Sequence, residues 1–173
     1  MLGEIFLMSN IYFIADTHFN EPEVFRMSGE YKNFYNCAAK DRSMVENWNK
    51  TVKPDDIVYI LGDFGDPQYA EKLNGKKYLI QGNHDIYGKS GFFEKEYDVP
   101  ILFKNFFILS HEPQYIPDTN SPFACIFGHV HNNPMYRTVS PRTFCVSACR
   151  IGYTPISYIE IVERMRKEEE NEC

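Results

Sequence analysis

The sequence predicts a mixed α/β layered fold, and three observations predict it. Short apolar runs rich in β-branched and aromatic residues alternate with polar, helix-like stretches, the pattern of sheets packed against helices. The chain has 173 residues, 43% of them hydrophobic, which is enough for a real core and fits one domain over residues 1–173. Metal-capable polar residues close several of the apolar runs, in "ADTH", "LGDFGD", "QGNHD", "LSHEP" and "FGHVH". In open α/β sheets the crevice beyond the strand C-termini is where ligands bind, so these five tips are expected to converge on one site.

The strands follow in order from those runs: Ile11 to Asp16, Asp56 to Asp63, Lys77 to Gly82, a pair around the Lys104 and Asn105 turn, Phe123 to His129, and Thr143 to Ala148. Helices are expected at Cys37 to Thr51, where Val45 and Trp48 sit a turn apart, at Pro67 to Leu73, at Gly91 to Tyr97, and from Ser157 to Glu170. The opening "MLGEIFLM" carries Glu4 and no basic region, which argues against a signal peptide, and its first seven residues read as an upstream start or a short edge strand. Residues 19 to 40 form a long polar and aromatic connection, of a kind that often carries specificity.

Charge and cysteine usage remove several classes of function. Lysine plus arginine number 18 against 24 acidic residues, a formal net charge of -6, so stable nucleic-acid binding through backbone electrostatics is not expected. The five cysteines, without C-x-x-C spacing, suggest reduced thiols in a cytoplasmic protein rather than a disulfide framework or a zinc ribbon. No apolar run approaches the roughly 20 residues that span a bilayer. The sequence leaves the oligomeric state open.

All five histidines, His18, His84, His111, His129 and His131, lie in the strand-end segments. Asp16 and His18 are two apart, as are His129 and His131, so on an extended backbone each pair points the same way. Gly62, Gly82 and Gly128 each precede a polar residue and let the chain turn sharply there. Asp16, His18, Asp63, Asn83, His111, His129 and His131 offer too many oxygen and nitrogen donors for one tetrahedral ion and about enough for two ions sharing a carboxylate. Mixed imidazole and carboxylate donors suit manganese, iron, zinc, cobalt or nickel, with manganese favoured.

The same blocks, "DTH" at Asp16, "GDFGD" at Gly62 to Asp66, "GNHD" at Gly82 to Asp85, the lone His111 and "GHVH" at Gly128 to His131, resemble in order those of the calcineurin-like metallophosphoesterases, most of all the small uncapped bacterial and phage enzymes. The resemblance implies a four-layer αββα sandwich. It implies one divalent cation held by Asp16, His18, Asp63 and His131, and a second by Asp63, Asn83, His111 and His129. It further implies that His84 faces the substrate phosphate while Asp85 fixes its tautomer. Two such cations, about 3.5 to 4 Å apart, would activate a bridging hydroxide for in-line attack on phosphorus, with His84 stabilising the transition state or protonating the leaving oxygen.

The function expected is therefore a metal-dependent phosphodiesterase acting on small or nucleotide-like diesters. A phosphomonoesterase, and a non-catalytic scaffold of the same fold, are the alternatives. "HEPQY" begins like a zinc-protease motif, but Tyr115 stands where the second histidine belongs and Pro113 breaks the helix it needs. The Cys145 and Cys149 pair reads as strand packing. Glu112, directly after His111, places a carboxylate near the mouth of the site. Phe19, Tyr115, Phe123 and Tyr153 are candidates for a stacking platform, and Arg26, Arg137, Arg142 and Arg150 for a clamp on a second phosphate.

Overall fold

The computed structural model describes residues 9–86, 89–117 and 121–172, without the side chain of Glu172. The apolar opening segment lies outside them. Among the described residues, nine strands build two sheets. The first contains β1 (Ile11–Ile14), β2 (Ile57–Leu61), β3 (Lys76–Ile80), β4 (Lys95–Tyr97) and β9 (Ile156–Ser157), in the order β4-β3-β2-β1-β9. Strands β1 to β4 run parallel and β9 is antiparallel to β1. The second sheet contains β5 (Ile101–Phe103), β6 (Phe107–Leu109), β7 (Ala124–Phe127) and β8 (Thr143–Cys145), in the order β5-β6-β7-β8.

The two-residue period of each strand sorts its side chains between layers. Phe13, Leu61 and Ile80 of the first sheet meet Phe107, Leu109, Ile126 and Phe144 of the second in one buried cluster. Their neighbours Ile14, Val58, Ile60 and Leu79 face the other way, onto Met44, Trp48 and Val52. Met44 and Trp48 belong to α2 (Cys37–Thr51), whose start is fixed by the Asn36 side chain accepting a hydrogen bond from the Ala39 N–H at 2.8 Å. The C-terminal α3 (Tyr158–Glu172) inserts Ile161 and Met165 into the inter-sheet cluster. The outer face of the second sheet, Cys125, Phe127 and Cys145, is covered by Ile116 and Val130 from irregular segments. The α/β sandwich thus stands as expected, while the cover of its second sheet is irregular chain rather than helix among the described residues.

The strand and helix expectations hold with one exception. Residues 91–94 are bends and 95–97 form β4 rather than a helix. Gly91 sits at φ 80°, outside the helical region, and Lys95, Glu96 and Tyr97 pair with Tyr78, Leu79 and Ile80 at the open edge of β3. Backbone pairing at that edge outweighs a modest local helical preference. The connection after β1 also holds a short helix, α1 (Pro22–Met27), and a tight 3-10 turn at Gly29–Tyr31. No helix of the described residues is long and apolar enough to cross a membrane.

The two sheets touch at their strand ends, and that contact positions the site. Ala15, just beyond β1, bridges to Ser147 beyond β8. The Gly128 N–H bonds to the His111 carbonyl, and the Asp16 N–H to the Gly62 carbonyl. The tips of β1, β2, β6 and β7 are therefore tied together.

Candidate metal centre

The tips of β1, β2 and β7 turn through left-handed residues. Asp16, His18, Asp63, His129 and His131 all have φ between 44° and 67°, a conformation that side-chain-bearing residues adopt at a cost and keep where the surroundings enforce it. The glycines among them make room. A methyl at Gly62 would lie 2.3 Å from His111 Nδ1, and one at Gly82 would lie 2.3 Å from Asp63 Oδ1.

Asp16, His18, Asp63 and His131 bring one donor atom each to within 4.8 Å of one another. Nε2 of His18 lies 3.4 Å from Nε2 of His131 and 3.7 Å from Asp63 Oδ2. Beside this group stands another: the Asn83 side-chain oxygen is 2.9 Å from His111 Nε2 and 3.0 Å from His129 Nδ1, and His111 Nε2 is 3.5 Å from the same Asp63 Oδ2. Asp63 thus sits between the two groups, with its other oxygen accepting the His84 N–H at 2.9 Å.

The far nitrogens of three rings are committed elsewhere. His18 Nδ1 faces Glu21 Oε2 at 2.9 Å, His131 Nδ1 faces Glu30 Oε1 at 2.7 Å, and His111 Nδ1 faces the Leu61 carbonyl at 2.9 Å. Each acceptor draws the ring hydrogen to Nδ1 and leaves Nε2 as a lone pair aimed inward. Two such lone pairs 3.4 Å apart, those of His18 and His131, repel unless something positive lies between them. A divalent cation fits that requirement at the first group; in the second, His111 Nε2 and His129 Nδ1 lie 3.1 Å apart.

The titration behaviour agrees with a site short of positive charge. Burial pushes Asp16 above its ordinary range. Burial also works against ionisation of Asp63, but the His111 hydrogen bond and charge outweigh it and lower Asp63 to about 2. His111 is correspondingly raised to about 9, its burial outweighed by Asp63. Glu30 is lowered, against its burial, by His131, and His131 is raised, against its burial, by Glu30 and Asp16. Without a metal, protons substitute for it.

His84 stands apart from these donors. Its side chain is 46% exposed, its ring edge-on to His18 with centroids 5.1 Å apart, and its Nδ1 is 3.8 Å from Glu21 Oε2. Asp85 does not hold this ring, contrary to the role the resemblance implied. Both of its oxygens are spent on backbone N–H groups, those of Gly82 at 2.8 Å and of Asp63 and Phe64 at 2.9 Å each. A carboxylate surrounded by three such donors is a brace for the loops carrying Asp63 and Asn83, and the carboxylate facing His84 is Glu21.

Glu21 and Glu30 were not singled out by the sequence. Glu21 follows His18 by three residues and was within reach of a local argument, whereas Glu30 is separated from His131 by 101 positions. Both come from the connection expected to carry specificity. Of the aromatic candidates, Phe19 is fully buried, Phe123 packs on the outer cluster, and the Tyr153 hydroxyl donates to the Glu30 carbonyl. Tyr115 is 90% exposed. Arg150 bonds the carbonyls of His131, Asn133 and Tyr136, Arg137 pairs with Glu168, and Arg26 lies near Glu23, so none of these three holds the place of a phosphate clamp. Glu112 lines a cavity of about 190 Å³ together with Asn83, His111, Asp98 and Gln114.

The calcineurin-like phosphoesterase profile matches residues 9–146. An uncharacterised protein of Methanocaldococcus jannaschii is 33% identical over 172 residues, covering 92% of this chain and 93% of its own. The gene 66 protein of Mycobacterium phage D29 is 31% identical over 87 residues, 45% of this chain and 41% of its own. Among solved structures, a protein of unknown function from Aquifex aeolicus superposes with a TM-score of 0.64 at 28% identity, covering 90% of this chain and 98% of that one.

Proposed function

The chain belongs to the calcineurin-like phosphoesterase family and is a metal-dependent phosphoric ester hydrolase, and from that premise we propose that it is a dinuclear phosphodiesterase acting on small or nucleotide-like diesters. The first cation falls to Asp16, His18, Asp63 and His131, the second to Asp63, Asn83, His111 and His129, and manganese suits both donor sets.

The observation that carries the diester reading is a charge balance. Four carboxylates, Asp16, Asp63, Glu21 and Glu30, stand in or directly behind the donor set, and together they offset the charge of two divalent ions. Lys40 and Arg150, the cations that contact these loops, are committed to backbone carbonyls. A centre near neutrality favours a singly charged diester over a doubly charged monoester. The cavity beside Asn83 and His111 gives room for one ester arm, and its carboxylates Asp98 and Glu112 disfavour a second phosphate there.

Two divalent ions supply Lewis-acid polarisation and an activated water when bound. The residues of the chain do the rest. Glu21 and Glu30 fix the tautomers that point Nε2 of His18 and His131 inward, Asp63 joins the two donor groups, and the half-exposed His84 hands a proton to the leaving oxygen. The four free cysteines among the described residues suit a reducing, cytoplasmic setting, and the partner expected is a small phosphoester.

The test is hydrolysis of bis-p-nitrophenyl phosphate and p-nitrophenyl phosphate by chelator-stripped protein re-supplied separately with manganese, nickel, iron(II) or zinc. Metal-dependent turnover favouring the diester is the expected result. Preference for the monoester would overturn the diester assignment.

A further inference from the structure

Lys40 lies in the first turn of α2 and is fully buried, 0% exposed. Its ammonium donates to the Thr17 carbonyl at 2.7 Å and the His18 carbonyl at 2.8 Å, and lies 2.9 Å from Asp41 Oδ1. Two of its N–H groups therefore meet backbone carbonyls, while Asp41 Oδ1 balances the charge without accepting a hydrogen bond of good geometry. The other Asp41 oxygen accepts the Asn20 N–H at 3.0 Å. The pair thus grips the segment 17–20 at three backbone atoms, from a helix that Met44 and Trp48 lock into the core.

Burying an ammonium is costly, and a buried ion pair is often no more stabilising than apolar side chains of the same volume. The Lys40–Asp41 pair is therefore better explained by what it holds. The segment it grips is the turn after Asp16, with His18 at φ 44° and Asn20 at φ 58°. Such a turn points carbonyls 17 and 18 into the protein, where strand pairing does not reach them. Lys40 Nζ makes no contact with a donor side chain of the metal centre among the described residues, so it acts through the backbone.

We propose that Lys40 is a positioning residue for the first cation site: its ammonium clamps the carbonyls of Thr17 and His18, and so keeps the His18 ring aimed at the position it shares with His131 and Asp63. The proposal rests on the two-cation reading above. It bears first on the first site, because Asn83, His111 and His129 are carried by other loops and the second site meets the gripped segment only through the shared Asp63, whose carbonyl accepts the His18 N–H at 3.0 Å.

The experiment is a manganese titration of the wild type and Lys40→Met, followed by calorimetry and electron paramagnetic resonance, with near-UV circular dichroism as the check on folding. The wild type is expected to take two ions and give an exchange-coupled spectrum. Lys40→Met is expected to keep one ion, give the spectrum of an isolated ion, and lose about tenfold or more in affinity at the first site. Where Lys40→Met melts below the assay temperature, Lys40→Arg replaces it, since its planar fork keeps the charge but cannot bring one nitrogen to both carbonyls; the same loss at the first site is expected. Either variant, folded and binding two ions with wild-type affinity, overturns the proposal. A wild type that binds fewer than two ions would instead overturn the two-cation reading beneath it.

Discussion

Glu30 Oε1 lies 2.7 Å from His131 Nδ1, across 101 positions of sequence, and its side chain is 3% exposed. The connection after β1 therefore reaches over the mouth of the second sheet to fix the ring of a residue at the tip of β7. Glu30→Gln keeps the shape and removes the charge. It is expected to weaken the first metal site by about 10- to 100-fold, read as the manganese dissociation constant, with the second site unchanged.

His84 donates its backbone N–H to Asp63 and sets a half-exposed ring edge-on to that of His18. His84→Ala should keep both ions and lower turnover by about a hundred- to ten-thousand-fold, the usual share of a general acid. Elemental analysis and steady-state kinetics on the same sample check this. An unchanged rate would remove His84 from the reaction.

Asp85 accepts three backbone N–H bonds and is 9% exposed. Asp85→Asn turns an amide donor towards at least one of those N–H groups and leaves it unpaired, at a cost of about 1–3 kcal/mol. Chemical denaturation should show that loss in the metal-free protein. Had Asp85 oriented His84 instead, stability would hold and only turnover would fall.

The metal-free protein should depend on pH in two windows. His111 is raised from 6.5 to about 9 in the folded state, so the stability it contributes is complete below pH 6.5 and is lost as pH rises through 9. Asp63 is lowered from 3.8 to about 2, so its contribution is complete above pH 3.8 and is lost as pH falls through 2. Thermal melts in chelator should therefore fall between pH 6.5 and 9. With manganese present that fall should vanish, because the cation takes the place of the His111 proton.

Much of the candidate centre was legible because its chemistry is local: each block of donors is a short string at the end of an apolar run. Asp16 and His18 do meet, but through left-handed turns at both residues rather than along the extended backbone expected. What supports those donors was not legible. Glu30 and Lys40 act across 101 and 22 positions respectively, and neither residue differs in sequence from an ordinary surface charge. The family resemblance gave Asp85 the ring of His84 to hold, yet the turn sends its carboxylate back to the amides of Gly82, Asp63 and Phe64. The strand β4 was misread for a similar reason, since its three residues are held by an edge of β3 that no local pattern announces.

Asp63 Oδ2 lies 3.7 Å from His18 Nε2 and 3.5 Å from His111 Nε2, which makes this carboxylate the joint of the proposed dinuclear centre. The most direct test is metal content by mass spectrometry of the wild type and Asp63→Ala after equilibration with manganese. Two ions per chain in the wild type, and loss of metal from both sites on removing this one carboxylate, is the predicted result. A single ion in the wild type, or two retained by Asp63→Ala, would contradict it.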